Sequence, residues 1–230
     1  MMTELEYEKK IRRLLQSSDE VNRQLACELM KGNGIPPELH QELQEKHTLL
    51  CLQNGFTAPF AETEKLNLSR LQLTNIPGAM GYLPRLKFLF LPFNDLEELP
   101  TEMGHLSTLK RVYLDGNRLT AFPRSFRHLE NLERIALVSN KLEKIPAEVF
   151  YMRKMRWLDV SFNKIKKLPS EIGKLQHMEF LTLSHNQIQH IPESIGKLTK
   201  LTSLSLDHNP LSENEMDKVR DLLPQAKIKF

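Results

Sequence analysis

Cysteine is scarce in this sequence, and long hydrophobic runs are missing. The 230 residues include only two cysteines, Cys27 and Cys51, too few for a disulfide framework. No run of about 18 apolar residues occurs, so no membrane-spanning helix is predicted. The first residues are acidic and lack the apolar core of a secretion signal. We therefore expect a cytoplasmic protein with reduced thiols.

Basic and acidic residues are nearly balanced in number. The chain has 32 Lys and Arg against 29 Asp and Glu, a formal net charge of +3. This balance does not indicate nucleic acid or an anionic membrane as a partner. The motifs HExxH, GxSxG, CxxC and the glycine-rich phosphate-binding loop do not occur. We expect no enzymatic activity, no cofactor and no bound metal.

The sequence does contain one pattern that returns every 23 residues. Residues 86–100 read LxxLxLxxNxLxxLP, and the frame recurs without insertions. Further copies begin at Leu109, Leu132, Met155, Met178 and Leu201, and a weaker one at Thr63. Its asparagines are Asn94, Asn117, Asn140, Asn163, Asn186 and Asn209. Its prolines are Pro77, Pro100, Pro123, Pro146, Pro169 and Pro192.

Residues 63–212 therefore resemble leucine-rich repeats of the intracellular type with 23 residues per repeat. The resemblance implies an α/β solenoid, a horseshoe whose concave side is a parallel sheet. It also implies a non-enzymatic protein-interaction module. Proteins of this kind act as scaffolds or regulators of signalling, some of them through GTPases.

We number the positions of each repeat from 1 to 23, with Leu86 at position 1. Apolar side chains at positions 1, 4, 6, 11 and 14 are expected to point inward, and those at positions 18 and 21 fill the convex side. The asparagine at position 9 is predicted to be structural, because its amide can satisfy backbone groups stranded by the turn after the strand. Leu71 replaces it in the first repeat, which fits a terminal repeat covered by the apolar helical cap, where an amide would lack a partner on one side.

We divide the chain into an N-terminal helical cap (1–58), the repeats (59–212) and a C-terminal cap (213–230). Hydrophobic periodicity predicts three helices in the first segment. Thr3 with Glu6 and Ser17 with Glu20 form candidate capping boxes for the first two, and the third carries Leu39, Leu43 and Leu50. The C-terminal cap is expected to hold a helix that starts at Ser212 and a final edge strand at residues 227–230.

Positions 3, 5, 7 and 8 are expected to face the concave surface, because side chains alternate along a strand. Aromatic residues cluster there beside arginines, and both types are enriched at binding hot spots. We predict that a monomer binds a protein partner through this face. The candidate residues are Phe88, Phe90, Phe93, Arg111, Tyr113, Arg134, Trp157, Asp159 and Phe180. In the alternatives, position-8 aromatics such as Phe93 and Phe162 only lean on the loop edge, the helical cap folds over Phe88 and Phe90, or the face has no specific role.

Two surface features outside the concave face are weaker candidates. Phe150 and Tyr151 interrupt the convex side, and Phe150 replaces the glycine that position 19 usually carries; a locally repacked repeat is the simpler interpretation. A basic run could contact phosphates of nucleic acid or lipid, although such runs are more often solvated faces. It comprises Arg153, Lys154, Arg156, Lys164, Lys166 and Lys167.

Two groups with metal-binding or nucleophilic side chains also need an interpretation. His185 and His208 share position 8 on adjacent strands, with Asp207 beside them, and could hold zinc. A metal site needs at least three well-placed ligands, so we favour ordinary surface histidines. Cys27 and Cys51 lie on predicted helices without an identifiable His and Asn, which makes a cysteine nucleophile the less favoured interpretation.

Two alternatives to a scaffold follow from other classes of protein. The chain could be the recognition domain of an enzyme system, either a GTPase regulator or an effector-type ubiquitin ligase. That ligase family has shorter repeats and a catalytic cysteine domain, neither of which occurs here. It could instead bind a non-protein ligand such as a glycan or lipid, although a single tryptophan and the lack of a glycine-rich pocket signal disfavour this.

Overall fold

The computed structural model describes residues 3–230, and within that range it contains one sheet of eight parallel strands in chain order. Each strand has only three residues, because the chain turns away directly after positions 3 to 5 of the repeat. The strands are β1 (Lys65–Asn67), β2 (Phe88–Phe90), β3 (Arg111–Tyr113), β4 (Arg134–Ala136), β5 (Trp157–Asp159), β6 (Phe180–Thr182), β7 (Ser203–Ser205) and β8 (Lys227–Lys229).

The strand register follows the period of the sequence. Phe88 pairs with Arg111, and Arg111 pairs with Arg134, so identical repeat positions lie side by side. The middle residue of each strand from β1 to β7 is buried, as Leu89 is in β2, while its neighbours point outward. This alternation gives the sheet an apolar face buried toward the core and a concave face that is at least partly exposed. The predicted solenoid is confirmed.

The core lies between the sheet and a row of short 3₁₀ segments on the convex side. Each segment follows a repeat proline, which presets the backbone φ angle at the start of the turn. The segments are Gly78–Tyr82, Thr101–His105, Arg124–His128, Ala147–Tyr151, Ser170–Lys174 and Glu193–Lys197. Each presents one apolar side chain at position 18, such as Phe126 or Ile172, that is fully buried.

A ladder of asparagine side chains joins consecutive repeats. The Nδ2 of Asn117 donates to the carbonyl oxygens of Leu91 and Leu114, at 3.0 and 2.9 Å. Its Oδ1 accepts from the backbone N–H of Leu96 at 3.1 Å. The amide thereby satisfies three backbone groups that the turn removes from the sheet. Equivalent bonds are made by Asn94, Asn140, Asn163, Asn186 and Asn209.

Four α-helices precede the repeats where the sequence predicted three. They are α1 (Glu4–Leu15), α2 (Glu20–Asn33), α3 (His40–Lys46) and α4 (Thr48–Gln53). The predicted third helix is wrong as a single element, because His47 leaves helical geometry with φ −129° and ψ 24°. The Thr48 hydroxyl donates to the carbonyl of Gln44 at this break. The predicted boundary after residue 58 falls within the 3₁₀ segment Ala58–Phe60 and stays a prediction.

Of the two predicted capping boxes, the one at α1 is confirmed and the one at α2 is wrong. Thr3 and Glu6 form the expected capping box at the start of α1. The second is wrong: Asp19, rather than Ser17, caps α2 by accepting from the N–H of Val21 at 2.9 Å. The Ser17 hydroxyl instead accepts from the N–H of Asp19, so it shapes the turn before the helix.

The helical cap packs against the first repeat, as predicted, but it leaves Leu71 on the surface. Leu71 is 46% exposed, although its N–H is bonded to the Oδ1 of Asn94 at 3.0 Å. The cap meets the first repeat elsewhere, since α4 packs on the convex segment Gly78–Tyr82. Leu71 therefore stays on the surface at the end of the asparagine ladder.

The C-terminal cap closes the other end of the sheet. Ser212 caps α5 (Glu213–Leu222) by accepting from the N–H of Glu215. The Glu215 carboxylate accepts from the N–H of Ile191 at 2.7 Å, so it binds the repeat that begins at Met178 and not its own helix start. β8 then adds to β7 as the final parallel strand. Within residues 3–230, no helix is long and apolar enough to cross a membrane.

Candidate functional site

A row of aromatic and basic side chains crosses the concave face at position 3. The strand register brings five of them side by side on consecutive strands. We call them the concave row: Phe88, Arg111, Arg134, Trp157 and Phe180. All five are at least partly exposed, and Phe180 is 43% exposed. A sheet face turned to water would ordinarily be polar, so this row is an unusual surface.

Two arginine–aromatic pairs organise the concave row. The guanidinium carbon of Arg111 lies 5.4 Å from the ring centre of Phe88, and that of Arg134 lies 4.9 Å from Trp157. Such cation–π contacts contribute about 0.5–1 kcal/mol at exposed sites. Between residues 3 and 230, neither arginine has an ion-pair partner. Both charges are therefore held in place and remain available to an external anion.

Position 5 adds a second aromatic contact beside the row. The rings of Phe90 and Tyr113 stack with centres 4.8 Å apart and planes 6° from parallel. The ammonium of Lys65 lies 5.1 Å from the Phe90 ring centre. These ring contacts of Phe88 and Phe90 come from the sheet itself, and both rings remain partly exposed. They do not support the alternative in which the helical cap folds over them.

Phe93 and Phe162 lie at the rim of the concave face, after the strands end. They are 55% and 51% exposed, and both have a left-handed backbone, with φ values of +57° and +55°. The Phe93 ring lies against Gly116, where an added Cβ would approach it to 2.8 Å, and under the guanidinium of Arg70. Phe93 is therefore separate from the concave row, although the sequence grouped it with Phe88 and Phe90.

Two carboxylates lie at the carboxyl ends of β3 and β5, the strands on either side of β4. Asp159 accepts from the N–H and hydroxyl of Ser161, at 2.9 and 2.6 Å. Asp115 accepts from the N–H of Val138 at 2.9 Å. Burial raises the pKa of Asp115, and the negative charge of Asp159 raises it further. Asp115 was not among the residues predicted from the sequence, although its place at concave position 7 was a usable signal.

The histidine pair at position 8 does not have the geometry of a metal centre. His185 and His208 stack face to face with ring centres 3.9 Å apart, so their nitrogens do not converge on one point. The donor atoms of these residues and Asp207 do lie within 4.8 Å of one another. Asp207, however, already accepts from the Ser184 hydroxyl and lies 2.9 Å from the Lys229 ammonium.

These bonds give Asp207 a structural role. The hydrogen bond from Ser184 is the largest influence and holds the pKa of the Asp207 carboxyl well below its usual range, helped by Lys229 and His208 against the opposing effect of burial. Because Lys229 belongs to β8, the carboxylate ties the last strand to the repeats.

The two cysteines are free thiols in the helical cap. Cys27 and Cys51 are both fully buried. Burial raises the pKa of Cys27, and it raises the pKa of Cys51 to about 12. Both thiols are therefore neutral near pH 7, whereas a nucleophilic cysteine requires the thiolate.

Residues of the predicted basic run make different local contacts and do not form one continuous patch. The Arg156 guanidinium forms two hydrogen bonds of 2.9 Å with the carboxylate of Glu179. Lys154 donates to the Oδ1 of Asn131 at 2.6 Å. Lys166 and Lys167 instead line a groove on the convex side, beside Phe150 and Tyr151.

Comparison with known protein families identifies the family of the repeats. A family model described as leucine-rich repeat region matches residues 147–223, and a second, leucine rich repeat, matches residues 107–165. Together the two matches span about half of the 230 residues. The chain belongs to the leucine-rich repeat family. Leucine-rich repeats are generally protein-interaction modules and typically lack enzymatic activity.

A solved structure of a bacterial internalin resembles the chain in fold. An internalin of Listeria monocytogenes is 18% identical, with a TM-score of 0.56, and the match covers 76% of this chain and 59% of the internalin. A leucine-rich repeat protein of Leptospira interrogans is 23% identical, with a TM-score of 0.41, over 76% of this chain and 68% of that protein. No curated protein matches the sequence.

Proposed function

We propose that this leucine-rich repeat protein binds a protein partner through the concave row. The observation that carries the proposal is the pairing of Arg111 with Phe88 and of Arg134 with Trp157 on adjacent strands. Each pair combines a large apolar surface with a positive charge that lacks an acidic partner within the described part of the chain. Aromatic residues and arginine are also the types most enriched at binding hot spots.

The chemistry of the face favours a partner surface that carries both apolar and acidic side chains. Covering one aromatic ring removes about 150–250 Å² from water, which contributes a few kcal/mol at about 25 cal/mol per Å². Two or three such anchors support micromolar affinity after the entropic cost of association. Carboxylates on the partner would pair with Arg111 and Arg134, while Asp115 and Asp159 would disfavour an acidic group at the strand ends.

A role as a cytoplasmic signalling scaffold or regulator is the finer part of this proposal. It is supported by the resemblance to intracellular repeats and by the two unpaired cysteines. Identification of the partner tests this part separately from the location of the binding face.

The proposal is tested by affinity capture from a lysate of the native organism with three baits. One is the wild-type chain, and the second carries Phe88→Ser, Phe90→Ser and Trp157→Ser. The third, Tyr82→Ser, is the control, because Tyr82 is an exposed aromatic residue of the convex side. Thermal unfolding of each bait establishes that the array remains folded.

We expect a protein that wild type and the Tyr82 control capture and the triple variant loses. Reconstitution with that purified protein should reproduce the difference in affinity. Equal capture by the folded triple variant would contradict a concave binding site.

A further inference from the structure

Position 19 of each repeat lies where the convex segments of consecutive repeats meet. Four repeats carry glycine there: Gly81, Gly104, Gly173 and Gly196. An added Cβ at Gly81 would come within 2.1 Å of the backbone oxygen of Glu102. One at Gly104 would come within 2.5 Å of the Cβ of Ser125. At these two glycines the neighbouring segment lies so close that a side chain does not fit, whereas Arg127 occupies position 19 of the third repeat.

Phe150 occupies position 19 and prevents this close approach. Its ring is only 7% exposed, so it fills space at the junction with the next repeat. The convex segments Ala147–Tyr151 and Ser170–Lys174 consequently line an open groove of about 570 Å³. That volume lies within the range of about 300–1,000 Å³ that is usual for ligand-binding clefts.

The groove combines an apolar floor with a basic rim. Ile145, Phe150 and Pro169 contribute to the floor, and Tyr151 stands beside them with 59% of its surface exposed. The charged residues of the lining are four lysines, Lys144, Lys166, Lys167 and Lys174, and two glutamates, Glu143 and Glu171. As far as the structure describes the chain, none of the four lysines has an ion-pair partner.

We propose that this groove binds an acidic peptide segment that carries an aromatic or branched aliphatic side chain. The apolar side chain would pack against Phe150 and Tyr151, and flanking carboxylates would pair with the lysines. A small anion would leave the apolar floor uncovered, and a neutral apolar ligand would leave the excess positive charge unpaired. An alkyl chain would remain partly in water, because this groove is not an enclosed cavity.

The site differs from the concave row in location and in residues. It lies on the convex side and uses lysines in place of arginine–aromatic pairs. The two surfaces can therefore be tested independently in the same full-length chain.

The test uses two pools of short synthetic peptides incubated with the immobilised full-length protein. In the first pool, a central Phe, Trp or Leu is flanked by random Asp, Glu, Ser and Gly. In the second, Lys and Arg replace Asp and Glu. Retained peptides are identified by mass spectrometry, and the strongest are resynthesised with a fluorophore for anisotropy titration at low and physiological salt.

The chain offers matched variants for this titration. Tyr151→Ala removes the exposed ring, and Tyr82→Ala is its control, because Tyr82 has the same repeat position and the same exposed fraction, 59%. Lys166→Glu with Lys167→Glu reverses the rim charge. Its control is Lys197→Glu with Lys200→Glu, which changes net charge equally outside the groove. Thermal unfolding establishes that every variant is folded.

We expect retention of acidic peptides with an apolar centre and no retention of the charge-reversed pool. Tyr151→Ala and the Lys166/Lys167 variant should each weaken binding about tenfold or more, while both controls bind as wild type does. Retention of neither pool, equal retention of both, or equal affinity in the groove and control variants would overturn the proposal.

Discussion

The guanidinium carbon of Arg134 lies 4.9 Å from the ring centre of Trp157, which is its direct neighbour on the adjacent strand. Trp157 is the only tryptophan in the chain. Its fluorescence therefore reports on the middle of the concave row without interference from elsewhere. This pair gives the proposed binding face an intrinsic probe.

Arg134→Gln should expose more of the Trp157 ring while it leaves the fold intact. We expect stronger quenching of the tryptophan emission by acrylamide and a loss of at most about 1 kcal/mol in the free energy of unfolding. The control is Arg124→Gln on the convex side, which should leave the quenching constant unchanged. Identical quenching of the Arg134 variant and wild type would show that the cation–π contact does not shield the ring.

Asn140→Ala should be strongly destabilising, because it removes a buried amide that serves three backbone groups. Asn140 donates to the carbonyls of Leu114 and Leu137 and accepts from the N–H of Leu119. Each buried group left unsatisfied costs about 1–3 kcal/mol, so we expect a loss of about 3 kcal/mol or more. Urea unfolding measures it, and Asn75→Ala at an exposed position should change stability by less than about 0.5 kcal/mol.

Gly104→Ala and Gly32→Ala should have opposite effects on stability. The added Cβ at Gly104 would meet Ser125 at 2.5 Å, whereas the one at Gly32 has no atom within 4 Å. Gly32 lies in α2, where alanine is favoured over glycine by up to about 1 kcal/mol. Thermal unfolding should therefore show a lower midpoint for Gly104→Ala and an equal or higher one for Gly32→Ala. A neutral Gly104→Ala would contradict the close-packing role of position 19.

Asp207→Asn should destabilise the protein near pH 7 by about 1.5–3 kcal/mol, the usual contribution of hydrogen bonds to a charged group. The folded-state pKa of Asp207 is depressed, chiefly by the hydrogen bond from Ser184. Its contribution is therefore fully present above the unfolded pKa of about 3.9 and is lost as the pH falls through the folded value.

The difference between wild type and Asp207→Asn should accordingly shrink as unfolding is measured below about pH 4. Asp221→Asn is the matched control, because this exposed carboxylate of α5 has no ion pair within the described residues. It should change stability by less than about 0.5 kcal/mol near neutral pH. A constant difference for Asp207→Asn down to pH 3 would contradict the charge-dependent role.

The sequence was sufficient to predict the repeat architecture, because the contacts that define it recur between adjacent repeats. Strands β1 to β7, the leucines buried within the repeats and the ladder asparagines recur at fixed positions of a 23-residue period. Each repeat therefore makes the same contacts with its neighbours. The predictions failed in the helical cap, which has no repeat to constrain it. There Asp19 rather than Ser17 caps α2, and His47 divides a predicted helix.

The candidate binding surfaces were likewise predictable from the sequence only in part. The sequence alone indicated which residues lie at concave positions, including the aromatics and arginines of the concave row. Only the tertiary structure decided that Arg134 stacks on Trp157, that Phe93 stands apart at the rim, and that Phe150 lines an open groove. These features depend on how the side chains of one repeat pack against those of the next. The type of a residue within its own repeat does not determine how much space the neighbouring repeat leaves for its side chain.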